Sequence, residues 1–253
     1  VDQISELGAD YISVTYGAGG STSKKTVEVA SYIQKKRQTT ALAHLTCIDS
    51  TSEQIREQLT ELKKNGIENI MALRGDKPVD FTGPAHYNYA IELIRDIHDS
   101  GDFCVGAACY PEGHVECAHK REDIAHLKEK VDAGVDFLTT QMFFDNNLFY
   151  KFLYQTLAAG ITVPIVPGIM PIINARQVKR STELSGSTMP TRFLTIADKF
   201  SDDPLSMEQA GIAYATDQII DLIANGVKYI HLYTMNRPRT AEKILSNLSH
   251  IIR

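Results

Sequence analysis

Lys130-Val131-Asp132-Ala133-Gly134-Val135-Asp136-Phe137-Leu138-Thr139-Thr140-Gln141 holds a helix end, a stop and the start of a strand. Upstream, Ile124, Leu127 and Val131 recur at helical spacing and form one apolar stripe. Gly134 then closes the helix, because glycine tolerates the left-handed conformation found just past a helix end. The run over 136–143 reads as a strand. Its apolar content suits a parallel strand covered by helices on both faces.

The same arrangement recurs along the chain. It is seen at Leu7-Gly8-Ala9-Asp10-Tyr11-Ile12, Asn65-Gly66-Ile67-Glu68-Asn69-Ile70 and Ser100-Gly101-Asp102-Phe103-Cys104-Val105. It returns at Ala159-Gly160-Ile161-Thr162-Val163-Pro164 and Asn225-Gly226-Val227-Lys228-Tyr229-Ile230. Ile55, Leu59 and Leu62 form another helical stripe, with Ser50 and Glu53 placed as its capping box. Strands are expected over 11–16, 41–47, 69–74, 103–110, 136–143, 163–169 and 228–235.

Strict alternation of strand and helix leaves two architectures, a (β/α)8 barrel and an open doubly wound sheet. The open sheet usually carries a G-x-G-x-x-G turn after its first strand, which Tyr16-Gly17-Ala18-Gly19-Gly20 only approximates. The barrel is the expected fold, as one catalytic domain over 1–253 with an inserted helical segment near 186–206. Seven strands are one short of a barrel, and the chain opens in what reads as a helix tail. The first strand is therefore expected to lie before Val1.

The chain has 253 residues, 43% hydrophobic and 23% charged, which excludes a disordered or fibrous protein. Lys+Arg 26 against Asp+Glu 31 gives a net charge of -5, which offers no attraction to a phosphate backbone and weighs against nucleic-acid binding. No apolar run reaches the length of a membrane span, and Val1-Asp2-Gln3 does not begin a signal peptide. Cys47, Cys104, Cys109 and Cys117 show no zinc spacing and read as free thiols of a cytoplasmic protein.

In a barrel the chemistry sits at the carboxyl ends of the strands. Those ends are Thr15-Tyr16-Gly17, His44-Leu45-Thr46, Arg74-Gly75-Asp76, Tyr110-Pro111-Glu112-Gly113-His114, Gln141-Met142-Phe143-Phe144-Asp145, Pro167-Gly168 and Tyr233-Thr234-Met235-Asn236-Arg237. Taken singly, each has a bland reading: His44 as a core histidine, Arg74 and Asp76 as a loop ion pair, Met142-Phe143-Phe144 as packing. Gln141 in an apolar strand must find partners or bind a ligand. His114 and His119 have no third ligand in register, so no metal site is expected. No lysine ends a strand and no nucleophile elbow occurs, which disfavours a Schiff-base aldolase and a hydrolase.

The strings V-T-Y-G-A-G-G, H-L-T-C, A-L-R-G-D, Y-P-E-G-H, K-V-D-A-G-V-D-F-L-T-T-Q-M-F-F-D, P-G-I-M-P and H-L-Y-T-M-N-R fall in order across residues 11–237. Together they resemble the methylenetetrahydrofolate reductase family. That resemblance implies a flavin-bearing (β/α)8 barrel in which NADH or NADPH reduces FAD. The flavin then reduces 5,10-methylenetetrahydrofolate to 5-methyltetrahydrofolate in a ping-pong cycle, in one-carbon metabolism and methionine biosynthesis. A cytoplasmic homo-oligomer is expected.

Residue by residue, the resemblance places Thr15, His44, Leu73, Arg74, Gly75, Asp76, Tyr89, Ala90, Ala108, Tyr110 and His114 around FAD. Asp123 and Lys130 fall on its ribose and diphosphate part, with Glu129 where some relatives carry an arginine. Gln141, Tyr233, Arg237 and Asp76 fall on the folate. Asp76 is the catalytic candidate, beside the flavin and the pterin. Phe193 and Phe200 are out of register with an aromatic that stacks on ligands in some relatives. The family's proton donor is a Glu on the first strand, expected here in a Phe/Pro-rich string before Val1. Two competing readings are a flavin-independent pterin-binding barrel transferase and a folate- or flavin-binding barrel without turnover.

Overall fold

A computed structural model describes residues 1–15, 23–76 and 86–252. Tyr16-Gly17-Ala18-Gly19-Gly20, and with it the expected end of the first strand, lies outside the described residues. The strands are β1 (Tyr11–Val14), β2 (Thr40–Thr46), β3 (Asn69–Leu73), β4 (Cys104–Cys109), β5 (Phe137–Thr140), β6 (Ile165–Val166), β7 (Gly168–Ile169) and β8 (His231–Leu232). The helices are α1 (Asp2–Ser5), α2 (Ser23–Lys36), α3 (Ser52–Lys64), α4 (Ala90–Ser100), α5 (Lys120–Asp132), α6 (Asn146–Ala158), α7 (Ala175–Ser185), α8 (Thr191–Phe200), α9 (Pro204–Ala224) and α10 (Pro238–Leu248). The six glycines read as helix stops, Gly8, Gly66, Gly101, Gly134, Gly160 and Gly226, all adopt positive φ, between 76° and 145°. Among the described residues, no helix is long and apolar enough to cross a membrane.

The chain forms two compact units. The first comprises residues 1–108 and 126–138. Here β1, β2, β3 and β4 pair in order and in parallel, in registers such as Tyr11↔Thr40, Leu42↔Asn69 and Asn69↔Cys104. The start of β5 follows, through the Asp136 N–H donating to Val105 O at 2.8 Å. Gly106 lets β5 approach, since a Cβ there would lie 2.5 Å from the Phe137 ring. Ala41, Ala43, Ile70, Ala72 and Val105 from the strands are buried, as are Ile55, Leu59 and Leu62 of α3. Each such branched side chain removed from water contributes about 1.5–3 kcal/mol. The capping box of α3 is one residue later than the sequence suggests. Thr51 Oγ1 accepts from Gln54 N at 3.2 Å, and Gln54 Oε1 accepts from Thr51 N at 2.8 Å.

The second unit comprises residues 109–125 and the chain from 139 onward. The single strand expected over 163–169 divides at Pro167, which has no N–H for a ladder. β6 continues the order after β5, while β7 pairs in parallel with β8 in a separate sheet. The strand expected over 228–235 contracts to His231–Leu232, with Lys228 and Tyr229 exposed. Phe143, Phe149, Ile169, Ile212, Ile219 and Ile244 form one core cluster. Phe144, Met170, Met189, Phe193 and Met207 form another. Met142-Phe143-Phe144 is thus largely core packing, as expected. Residues 186–206 hold the linker after α7, all of α8 and the start of α9.

Candidate functional site

In the first unit the ends of β2 and β3 are tied together by one carbonyl. Cys47 N and Ile48 N both donate to Arg74 O, at 3.1 and 2.9 Å. Gly75 lies against that turn with φ 89°, and a Cβ there would sit 3.0 Å from Thr46 Cβ. Only glycine meets both conditions cheaply. Arg74 Nε donates to Gly75 O at 3.2 Å, and Asp76 is exposed directly beyond. Leu73 and His44 are half-buried in their strands, with His44 in register with Met71. Burial, with the nearby Glu92 charge, pushes the Cys47 thiol up to about 12, so it stays protonated at neutral pH.

The start of α4 is neutralised from within. Glu92 Oε2 accepts from Asn88 N at 2.6 Å and from Tyr89 N at 2.9 Å, which satisfies two donors at the positive end of the helix. The Tyr89 ring is 67% exposed beside Ala90 and available for stacking. Thr15 is exposed, and its carbonyl accepts from Thr26 Oγ1 at 3.3 Å. Lys130 Nζ donates to Ala108 O at 2.8 Å, bringing the ammonium to the end of β4.

In the second unit the loop after β4 is a tight knot. Gly113 N donates to Tyr110 O at 3.0 Å, and the Tyr110 and His114 rings meet edge to face with centroids 4.7 Å apart. Asp123 Oδ2 accepts from His114 N at 3.3 Å. His114 Nδ1 accepts from Glu116 N at 3.1 Å, so the neutral ring carries its proton on Nε2. Tyr110, His114 and Asp123 are therefore brought together.

Gln141 stands just past β5. Its N–H donates to Cys109 O at 2.7 Å, and its Oε1 accepts from Met142 N at 2.9 Å. Among the described residues, its Nε2 has no hydrogen-bond acceptor. Tyr233 donates its phenol proton to Thr140 O at 2.8 Å, and its ring packs edge to face on His231, 4.8 Å between centroids. Burial lowers the His231 pKa to about 4, which keeps that ring neutral. Arg237 is exposed at the start of α10, after Met235 and Asn236 at φ 47° and 57°. Two consecutive left-handed non-glycine residues are strained, of the kind that collects at functional loops.

Phe193 is fully buried against Phe144 and Tyr214, with centroids 6.4 and 4.7 Å away, and acts as core. Sequence reasoning missed Glu112, whose carboxylate accepts from Thr188 N at 3.0 Å, and Ser187, whose hydroxyl donates to Met142 O at 2.6 Å. Both hold the α7–α8 linker to the strand-end loops. It also missed Thr140, although a polar Thr139-Thr140 pair in an apolar strand was the available signal. Among the described residues no group of three His, Cys, Asp or Glu side chains could hold a metal ion.

The family model described as methylenetetrahydrofolate reductase matches residues 1–249. A 5,10-methylenetetrahydrofolate reductase of Pectobacterium carotovorum subsp. carotovorum is 36% identical over 98% of this chain and 83% of its own length. A probable methylenetetrahydrofolate reductase (NADH) of Oryza sativa subsp. japonica is also 36% identical, but the chain spans only 45% of that protein. In structure, an uncharacterized protein from Clostridium thermocellum that binds two copies of 5-methyl-5,6,7,8-tetrahydrofolic acid aligns with TM-score 0.62. It is 14% identical and covers 99% of this chain and 85% of its own, a likeness of fold.

Proposed function

The chain belongs to the methylenetetrahydrofolate reductase family, and from that premise we propose that it reduces 5,10-methylenetetrahydrofolate to 5-methyltetrahydrofolate at a bound FAD, using NADH or NADPH. The observation that carries this reading is the family match running unbroken from residue 1 to residue 249. We also treat 1–253 as one catalytic domain of (β/α)8 class, in an enzyme proposed to be cytoplasmic and homo-oligomeric.

The donor set suits a flavin dinucleotide. Arg74 and Lys130 are cations whose backbone contacts hold them at strand ends, as a diphosphate requires. The His114 ring carries its proton on Nε2, Tyr89 presents an exposed ring face, and Asp123 lies against the His114 backbone and is assigned to the ribose. We assign Thr15, His44, Leu73, Gly75, Ala90, Ala108 and Tyr110 to the remaining FAD contacts. When bound, the flavin supplies the hydride relay between nicotinamide and folate.

The chain's own residues do the rest. Asp76 holds a negative charge beside the folate, where it stabilises the cationic iminium form that accepts hydride. Gln141 presents its amide hydrogens, because Met142 N engages its oxygen and turns the amide nitrogen outward. The carbonyl of a pterin or of a nicotinamide amide is the matching acceptor. Tyr233 has committed its proton to Thr140 O and so offers the folate its ring. Arg237 suits the carboxylate tail.

The test is optical. The full-length protein is expected to be yellow, to release FAD and not FMN on denaturation, to bleach with NADH or NADPH, and to regain colour with methylenetetrahydrofolate. A folded, colourless protein that takes up no FAD overturns the reading in favour of a flavin-independent transferase. A yellow protein that bleaches but is not reoxidised by the folate leaves only a binding barrel.

A further inference from the structure

The proposed function needs Gln141 to hold its free amide hydrogens in one place, and a neighbour outside every role assigned so far holds it there. Thr140 is fully buried at the end of β5. The adjoining strand breaks at Pro167, and the next N–H, that of Gly168, donates to Thr140 Oγ1 at 2.8 Å, in a buried bond. The Thr140 carbonyl is taken by the Tyr233 hydroxyl at 2.8 Å. No side chain fits at residue 168, since a Cβ there would lie 2.5 Å from both Thr140 O and Tyr233 Cε2. Gln141 N, Met142 N and Met142 O are engaged as well, by Cys109 O, Gln141 Oε1 and Ser187 Oγ. Around these fixed groups, and among the described residues, Gln141 Nε2 has no hydrogen-bond acceptor and can face a ligand.

We propose that Thr140 is a positioning residue for Gln141: its hydroxyl stands in for a strand carbonyl where the sheet divides, and so fixes the peptide from which the Gln141 amide is presented. The inference rests on the proposed reductase function. Valine keeps the volume of threonine and removes the acceptor. The buried Gly168 N–H then competes with Tyr233 for the Thr140 carbonyl, and the 140–142 segment loses its single arrangement. Serine keeps the acceptor.

The experiment compares full-length, FAD-bound wild type with Thr140→Val and Thr140→Ser. Thr140→Val is expected to raise KM for methylenetetrahydrofolate about 10-fold, the value of one hydrogen bond, with unchanged flavin content. Thr140→Ser is expected to restore it to within about 2-fold. In a Gln141→Ala background Thr140→Val should add no further loss, because the residue acts through Gln141. Amide exchange at Gly168, which needs neither flavin nor folate, should quicken in the valine variant and not in the serine one. An unchanged KM despite faster exchange, or losses that multiply in the double variant, overturns the proposal. So does unchanged exchange at Gly168. If Thr140→Val does not fold, Tyr233→Phe cuts the other tether on the same residue. It should raise KM in the wild-type background and not in Gln141→Ala, and a rise in both overturns the proposal. A wild type that fails to reduce the folate at all brings down the functional reading, and the exchange measurement still decides the tether.

Discussion

Asp76 is exposed at a strand end, whereas His231 is held neutral by burial. The proposed role of Asp76 concerns the positive charge on the folate, a charge present only in the second half-reaction. Asp76→Asn should therefore slow reoxidation of the flavin by methylenetetrahydrofolate by roughly 10²-fold while reduction by NADH or NADPH changes little. Stopped-flow traces with equal losses in both halves would count against the assignment. For His231 the folded pKa of about 4 lies below its value of 6.5 when unfolded. The unfolded chain thus binds the extra proton first as pH falls. Stability is complete above pH 6.5, declines towards pH 4 and loses up to roughly 3 kcal/mol on this account. Urea unfolding of wild type and His231→Gln between pH 7 and 4 checks this: the variant should show a shallower decline, and parallel curves would refute it.

Helix α9 shows what an element can hide from its sequence. Its depth of packing depends on Gly211, where a Cβ would run into the carbonyl oxygen of Ile172. Gly211→Ala should lower the unfolding free energy by about 3 kcal/mol, since backbone cannot give way as a side chain can. Chemical denaturation showing a gain, as expected for an exposed glycine in a helix, would mean that α9 sits further out. The helix–glycine–strand units were legible because each carries its own stop: the six glycines predicted at helix ends all took positive φ. What was not legible depended on partners distant in sequence. Pro167 signals that a strand is interrupted, but not that Gly168 would turn to the Thr140 hydroxyl. The start of α3 was misread by one residue because Ser50-Thr51 and Glu53-Gln54 offer the same chemistry twice, and only the observed bonds choose the second pair. Of the site, the residue types at the strand ends were readable. The commitment of the Tyr233 proton and of the Gln141 oxygen was not, because both depend on tertiary contact.

At the scale of the whole molecule, the proposed role of Gln141 sets the order in which the proposed substrates would meet the enzyme. A nicotinamide carries an amide carbonyl and a pterin carries a ring carbonyl. Each can accept from Nε2, which has no acceptor among the described residues. Two ligands cannot hold the same pair of hydrogens and the same flavin face together, so the proposed cycle requires the oxidised nicotinamide to leave before the folate binds. Initial rates at several fixed folate concentrations should then give parallel double-reciprocal lines, with each substrate inhibiting competitively against the other when in excess. Gln141→Ala should raise both KM values, by about 10-fold for the loss of one hydrogen bond, while the lines stay parallel. Intersecting lines would mean that both substrates are bound at once. A variant in which only the folate KM moves would give Gln141 to the folate alone and require another donor for the nicotinamide.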